Sequence, residues 1–227
     1  KIPLSDDNLY NLVLFAFIAG LIGARIFYVV FSLDYYLANP KEIPAIWHGG
    51  LAIHGGLIGG SLLALIYCKK KEVPFLRLAD AFAPSIILGQ AFGRFGNFMN
   101  GDAHGTPTDL PWGLVFPQNS IAGQQFGQVP PHPVMLYEMI LNLIIFAVLM
   151  KLRLASSKEG YIFSLYLIFY SLDRFFVSFF RADNLMILGL SVPHLISLLI
   201  IGVVGYYLVR NRLWIPPISH GKKVKVR

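Results

Sequence analysis

Apolar residues along this chain gather into long runs separated by short polar stretches. A helix needs about 20 residues to cross about 30 Å of hydrocarbon, and six runs approach that length: residues 9–33, 50–68, 78–100, 135–152, 161–181 and 193–210. No alternating pattern suggests a barrel, and backbone polar groups inside lipid must be satisfied within the segment. The pattern therefore predicts an all-α, polytopic membrane helix bundle with about six transmembrane helices.

Composition agrees with a lipid environment. Of the 227 residues, 56% are hydrophobic and 14% are charged, against about a quarter charged in soluble domains, and the mean hydropathy is +0.61. We expect a transmembrane domain over residues 1–211, with a long outer loop at 101–134, and a basic tail over 212–227. The net charge of +7 does not indicate a nucleic-acid partner, because the charges fall between apolar runs.

Basic residues indicate the orientation of the bundle. They collect in the loops after the second and fourth runs and in the C-terminal tail, whereas the opposite loops contain Lys41 alone. Since cytoplasmic loops carry the excess of Lys and Arg, both ends of this chain are predicted to be cytoplasmic. The single cysteine, Cys68, excludes an internal disulfide, and no ligand spacing indicates a metal.

Four arginines lie inside or at the edge of apolar runs: Arg25, Arg94, Arg174 and Arg181. With a helical rise of about 1.5 Å per residue, the first three lie roughly 20–24 Å from the cytoplasmic side. Charges at membrane depth usually face a protein interior or a wet cavity. The arginines therefore predict a polar cavity in the outer leaflet that holds an anionic lipid, although snorkelling at helix ends could explain Arg181.

The third run carries the densest polar pattern. Gln90, Arg94, Asn97 and Gly101 follow helical spacing and share one face, and Gly89 with Gly93 predicts a close helix contact. Guanidinium groups match phosphate oxygens in geometry and charge. This face is either a packing surface with one buried arginine or, as we favour, a seam that presents a guanidinium and two amides to a phosphate.

Other polar residues leave two interpretations open. His54, in a His-Gly-Gly segment, is either structural or a proton acceptor. Glu138 is most simply the partner of an arginine, and a direct catalytic role is the alternative. Arg174, Ser178 and Arg181 share a face if the fifth run is helical throughout. Asp173 and Asp183 could pair with these arginines.

Four segments together resemble the prolipoprotein diacylglyceryl transferase family. Residues 93–101 (GRFGNFMNG) are similar to its signature, and HGG at 54–56, HPVMLYE at 132–138 and FFR at 179–181 follow the family order. The family has seven membrane helices with an outer N-terminus and a functional tyrosine in the first. The resemblance implies that this chain begins at the second helix. Asp102, Ser178, His48 and Pro193-His194 depart from the family pattern.

The resemblance implies transfer of a diacylglyceryl group from phosphatidylglycerol to the lipobox cysteine of a bacterial prolipoprotein signal peptide, without a cofactor or metal. It implies a location in the bacterial inner membrane and makes residues 1–211 the catalytic domain. The expected residues fall into three groups. Catalytic roles are expected for His54, Arg94 and Arg181, and substrate binding for Arg94, Asn97, Asn100, Gly101 and Glu138. Supporting charges are expected at Arg25, Arg174 and Asp102, with the two arginines held by acids.

Two other functions fit the same residues. A transporter or channel with an outward-facing anion site would also use membrane arginines, but it predicts broken helices and internal repeats. The sequence contains no evident repeat, although Pro84 leaves a helix break possible. A membrane scaffold with purely structural arginines is the third interpretation.

Overall fold

The computed structural model describes residues 4–154, 157–187 and 189–216. These residues form an all-α protein, which confirms the predicted fold class. Its helices are α1 (Asp6–Phe31), α2 (Leu33–Ala38), α3 (Ile53–Lys70), α4 (Phe75–Asn100), α5 (Ile121–Phe126), α6 (Val134–Leu152), α7 (Tyr161–Val177) and α8 (Val192–Asn211). A short hairpin of β1 (Met186–Ile187) and β2 (Leu190–Ser191) precedes α8.

Each of the six apolar runs coincides with a long helix: α1, α3, α4, α6, α7 and α8. Four of them, α1, α4, α6 and α8, are long and apolar enough to cross a membrane by length and composition, within the described part of the chain. Helix α4 continues through Pro84. The tail from residue 217 onwards, with most of its predicted basic residues, lies outside the described residues.

The chain divides into two compact units, residues 1–78 and 79–227. In the first unit, α1 packs along α3. The two helices approach so closely that a Cβ added at Gly55 would lie 2.2 Å from the Gly23 carbonyl oxygen, and one at Gly59 would lie 2.4 Å from that of Ala19. Glycine is therefore required at this crossing, as it commonly is between membrane helices.

The second unit is built around α4, α6 and α7. Its apolar core contains two residues from each helix, all buried: Ala83, Ile87, Ile145, Leu149, Ile162 and Tyr166. Helix α8 packs against α7. Because these residues recur at helical spacing, the core fixes which faces of α4, α6 and α7 meet.

Asp80 of α4 joins two distant segments of the second unit. Its carboxylate accepts hydrogen bonds from the backbone N–H groups of Gly160 (2.7 Å) and Phe163 (2.8 Å), at the start of α7. The first N–H groups of a helix lack partners within the helix. Asp80 supplies acceptors for them from eighty residues earlier, which holds the N-terminus of α7 against α4.

The long loop at 101–134 is ordered by backbone hydrogen bonds. It contains α5, which Ser120 caps through the N–H of Gly123. One strand-like bridge joins Gly105 to Arg181, and another joins Pro107 to Pro131. The loop therefore ties the C-terminal end of α4, the start of α6 and the segment after α7 to one another.

Candidate active site

Three arginines of the second unit meet on one buried carboxylate. Glu138, in α6, is fully buried. Its Oε2 pairs with Nε of Arg94, from α4, while its Oε1 accepts from Nη1 of Arg174 (2.7 Å) and Nη1 of Arg181 (3.1 Å). We call these four residues the Glu138 cluster. The predicted pairing of Glu138 with an arginine is confirmed, and it extends to three.

Arg94 is held in place by the polar face of α4. Its Nη1 donates to Oδ1 of Asn97 (3.0 Å), and Nδ2 of Asn97 donates to Oδ1 of Asp102 (2.7 Å). One turn earlier, Nε2 of Gln90 donates to the hydroxyl of Tyr166 (3.2 Å). Gln90, Arg94 and Asn97 therefore share one helix face, as their spacing predicted, while the presentation of this face to a phosphate stays a prediction. Asp102 supports Arg94 through an amide rather than directly.

Two more of the predicted site residues, Asn100 and Gly101, lie at the end of α4. Asn100 is the last residue of the helix and is exposed, whereas Gly101 is buried and adopts a φ of +67°. A Cβ at Gly101 would lie 2.7 Å from Cβ of Ser120. Glycine at 101 thus ends α4 and lets the loop return against it. The close helix contact predicted at Gly89 and Gly93 is wrong, because a Cβ added to either glycine would have no described atom within 4 Å.

Arg181 reaches the cluster from a turn rather than from a helix. We predicted a helical run to residue 181, but α7 ends at Val177 and the next N–H groups bond in tighter turns, such as Phe180 N–H to the Val177 carbonyl (3.0 Å). Asp183 holds the guanidinium through both its oxygens, at 2.8 Å from Nε and 2.6 Å from Nη2. The predicted pairing of Asp183 with an arginine is confirmed.

The electrostatics of Asp183 follow from this contact. Partial burial raises the pKa of the Asp183 carboxyl, but the hydrogen bonds and charge of Arg181 outweigh that effect and lower the pKa below its ordinary value. The carboxylate is therefore stabilised by folding, and it serves as the counter-ion of Arg181 at neutral pH.

The three arginines differ in the donors they have left. Arg181 uses Nε, Nη1 and Nη2 in its contacts with Asp183 and Glu138 and is 8% exposed. Arg174 uses Nη1 alone among the described residues, and its side chain is 24% exposed. Arg94 keeps Nη2 without a described partner, and its side chain is 21% exposed. Arg94 and Arg174 thus each keep at least one nitrogen for a ligand, whereas all three nitrogens of the buried Arg181 already bond to carboxylates.

In the first unit, Arg25 has backbone partners rather than acidic ones. Its Nε donates to the Ile43 carbonyl (2.8 Å), and Nη1 donates to the carbonyls of Gly49 (2.7 Å) and Gly50 (2.8 Å). Nη2 donates to two further carbonyls, those of Glu42 and Ala45. The expectation that an acid holds Arg25 is wrong, because the five carbonyls satisfy all five of its N–H donors.

His54 lies in the first turn of α3, also in the first unit. Its side chain is exposed, and its ring lies 6.1 Å from that of Phe27. The following Gly55 is buried at the crossing with α1. The His-Gly-Gly segment thus combines a packing role, in Gly55, with an accessible imidazole.

Comparison with known proteins decides the family. The family model described as prolipoprotein diacylglyceryl transferase matches residues 1–210. The chain belongs to the prolipoprotein diacylglyceryl transferase family. The matched residues include His54, Arg25 and the whole Glu138 cluster, so the resemblance carried by the four sequence segments is confirmed.

Relatives in this family are similar over most of their length. The phosphatidylglycerol–prolipoprotein diacylglyceryl transferase of Fusobacterium nucleatum subsp. nucleatum is 43% identical over 241 residues, which cover 90% of this chain and 84% of the relative. The enzyme of the same name from Staphylococcus haemolyticus is 41% identical, and the match covers 95% of this chain and 77% of the relative. That from Clostridioides difficile is 43% identical, with 90% of this chain and 78% of the relative covered. The protein is therefore a bacterial membrane protein of this transferase family.

The sequence spacing did not predict the contacts of several buried polar residues in the second unit. Asp173 and Asn142 are buried, and no described group bonds to either carboxylate oxygen of Asp173 or to the amide of Asn142. Asp173 interacts electrostatically with Glu138 and with Arg94, but the predicted ion pair is not formed. Asp80 was missed entirely, because an acid beside a helix start has no local signature when the helix lies eighty residues away.

Proposed function

We propose that this protein transfers the diacylglyceryl group of phosphatidylglycerol to the lipobox cysteine thiol of prolipoproteins, with the Glu138 cluster holding the lipid phosphate. The observation that carries the assignment is the set of three guanidinium groups gathered on one buried carboxylate. Guanidinium groups bind phosphate oxygens through paired, charge-assisted hydrogen bonds. The named activity of the relatives supplies the reaction.

Within the cluster, we assign direct phosphate contact to Arg94 and Arg174. Both are partly exposed and keep a nitrogen without a described partner, whereas Arg181 is buried and each of its nitrogens bonds to a carboxylate. Arg181, first expected to be catalytic, then acts by positioning Glu138. Asn97 orients Arg94, and its neighbours Asn100 and Gly101 shape the end of α4 beside it.

The proposed chemical step is a nucleophilic displacement at carbon. The cysteine sulfur, as thiolate, attacks the glycerol carbon that carries the phosphate, and an S–C bond forms while the C–O bond breaks. Glycerol phosphate leaves with the electron pair, and Arg94 and Arg174 stabilise its added negative charge. The thiol, with an ordinary pKa of about 8.5, must lose its proton first. We assign the exposed His54 to accept it.

We also propose that the chain lies in the inner membrane with its C-terminus in the cytoplasm. The support is the concentration of basic residues in the loops after α3 and α6 and in the tail, with Lys41 alone in the opposite loops.

A reconstituted assay tests the transfer and its site. Phosphatidylglycerol labelled in both glycerol units is mixed with a lipobox peptide, and thioether product and released glycerol phosphate are measured together. Arg94→Ala is expected to lose on the order of 10²-fold or more in rate, because a charge contact made in the transition state is removed. His54→Gln is expected to lose transfer as well.

Arg153→Ala is the matched control, since Arg153 is exposed at the end of α6 and contacts only the nearby Met150 among described side chains. Full transfer by Arg94→Ala would reject the assignment of the phosphate site. Absence of product from the wild-type protein, with intact labelled lipid, would reject the transferase itself.

A further inference from the structure

The first unit contains a cavity made of residues other than the Glu138 cluster. Its volume is about 340 Å³, within the usual range for small-molecule sites. It lies where α1 gives way to α2 and to the 3₁₀ turns Pro40–Glu42 and Ile46–His48. None of its lining residues belongs to the Glu138 cluster or takes part in the step proposed above, so this inference does not rest on the proposed function.

Arg25 builds this cavity rather than offering a charge inside it. All five of its N–H donors are bound to the carbonyls of the loop that covers α1, and its guanidinium lies 5.1 Å from the centre of the Tyr36 ring. An anion entering the cavity would have to break these bonds. The loop is therefore held open in one shape, which preorganises the cavity.

The groups left for a ligand are aromatic faces and hydroxyl, carboxylate and imidazole groups. Tyr35 and Tyr36 meet edge to face at 5.1 Å, and Tyr28 meets Tyr36 at 6.3 Å. Glu42 and His48, which also line the cavity, form a pair with 2.8 Å between Oε2 and Nδ1. The hydroxyl of Ser32 completes the polar lining.

Charge and hydrogen bonding together narrow the class of ligand. The charges of Arg25 and Glu42 offset each other, so neither an anion nor a cation gains a net attraction. Tyrosine and serine hydroxyls both donate and accept, and Glu42 accepts. We propose that this cavity binds a neutral polyhydroxylated group, a glycerol or sugar moiety, carried by a membrane lipid or free in solution.

Trp47 provides the readout for a binding experiment. Its ring lies 5.9 Å from that of His48, which lines the cavity. The chain has three tryptophans, so the double variant Trp112→Phe, Trp214→Phe retains Trp47 as its only tryptophan. This protein, in phosphatidylcholine nanodiscs, is titrated with glycerol, methyl glucoside, choline and glycerol phosphate. Parallel nanodiscs contain phosphatidylglycerol or a glucosyl diacylglycerol.

We expect a saturable change in Trp47 emission. A change with free polyols identifies a ligand from solution, and a change with the polyol lipids alone identifies a lipid head group. Tyr35→Ala should abolish the change, and Tyr35→Phe should weaken binding roughly tenfold, because one hydrogen bond is lost while the ring remains. Tyr10→Ala, an exposed tyrosine of α1 outside the cavity, should bind as the parent does.

Tighter binding of choline or glycerol phosphate than of glycerol would overturn the proposal, as would no saturation with any polyol or polyol lipid. Equal loss in Tyr35→Ala and Tyr10→Ala would also overturn it. The outcome is independent of the transfer assay, since no step of this measurement requires peptide or turnover.

Discussion

At the level of single residues, Arg174 and Arg181 share one oxygen of Glu138 but differ in their remaining contacts. Arg174→Ala is expected to lose transfer on the order of 10²-fold and to lose less unfolding free energy than Arg181→Ala, because its side chain is partly exposed and Nη1 alone has a described partner. Arg181→Ala should instead lower the free energy of unfolding by about 2 kcal/mol or more, since a buried charged hydrogen-bond network is broken.

Transfer rates and detergent-solubilised thermal unfolding, measured on both variants beside Arg153→Ala, distinguish the two roles. The reversed result, an unstable Arg174→Ala and a stable but inactive Arg181→Ala, would contradict our assignment of the phosphate contacts.

Asp183 gives a pH dependence whose sign is fixed by its pairing. Since the folded pKa of this carboxyl is lowered from 3.8, the stability that it contributes is fully present above that ordinary value. It is lost as the pH falls through the folded value. Unfolding of wild type and Asp183→Asn should therefore differ by a constant amount at neutral pH, and the difference should shrink in acid. The exposed Asp109→Asn is the control; a difference that grows in acid would refute the pairing.

Residue patterns in the sequence predicted much of the cluster, but not its geometry. Helical spacing placed Arg94 and Asn97 on one face, and burial of charge in apolar runs marked Arg174 and Arg181. Nothing in the spacing shows that Glu138 serves three arginines, because that depends on how α4, α6 and α7 pack. Arg25 was misjudged for a related reason: a loop of ordinary composition supplies its partners as backbone carbonyls, which leave no trace in side-chain identity.

At the level of helices, the existence of six long elements followed from apolar length, whereas their ends depended on local chemistry. The run through residue 181 looked continuous, yet α7 stops at Val177 because the following residues bond to the loop at 101–134. Likewise, α7 begins at Tyr161, where the carboxylate of Asp80 accepts hydrogen bonds from backbone N–H groups. No residue next to this helix start predicts that contact.

The crossing of α1 and α3 makes a prediction at this level. Gly55→Ala would place a Cβ 2.2 Å from the Gly23 carbonyl oxygen, so the helices must separate, and we expect a loss of about 1–3 kcal/mol in unfolding free energy. Gly202→Ala, in α8 with no described atom within 4 Å, should be neutral or slightly stabilising, because alanine favours helix. Equal effects of the two substitutions on thermal unfolding would show that the crossing is loose.

At the level of the whole molecule, the distribution of basic residues predicts a sidedness that labelling can test. In a Cys68→Ala background, Trp112→Cys should react with an impermeant maleimide added to intact spheroplasts. Lys71→Cys should react only after the membrane is opened. Both positions are exposed, so reactivity reports the side of the membrane. The opposite pattern would invert the orientation proposed here.

The burial of Glu138 also constrains how the protein enters the bilayer during synthesis. A lone ionised side chain at the centre of a helix costs about 3 kcal/mol or more to insert, and α6 contains no basic residue that could offset Glu138 before Lys151 at its far end. Arg94 is synthesised first, and Arg174 and Arg181 last, so α4, α6 and α7 each carry a cost that is offset only once they meet. Insertion of these three helices together is therefore favoured over insertion one by one, and a nascent chain cut between α6 and α7 would retain Glu138 with Arg94 alone.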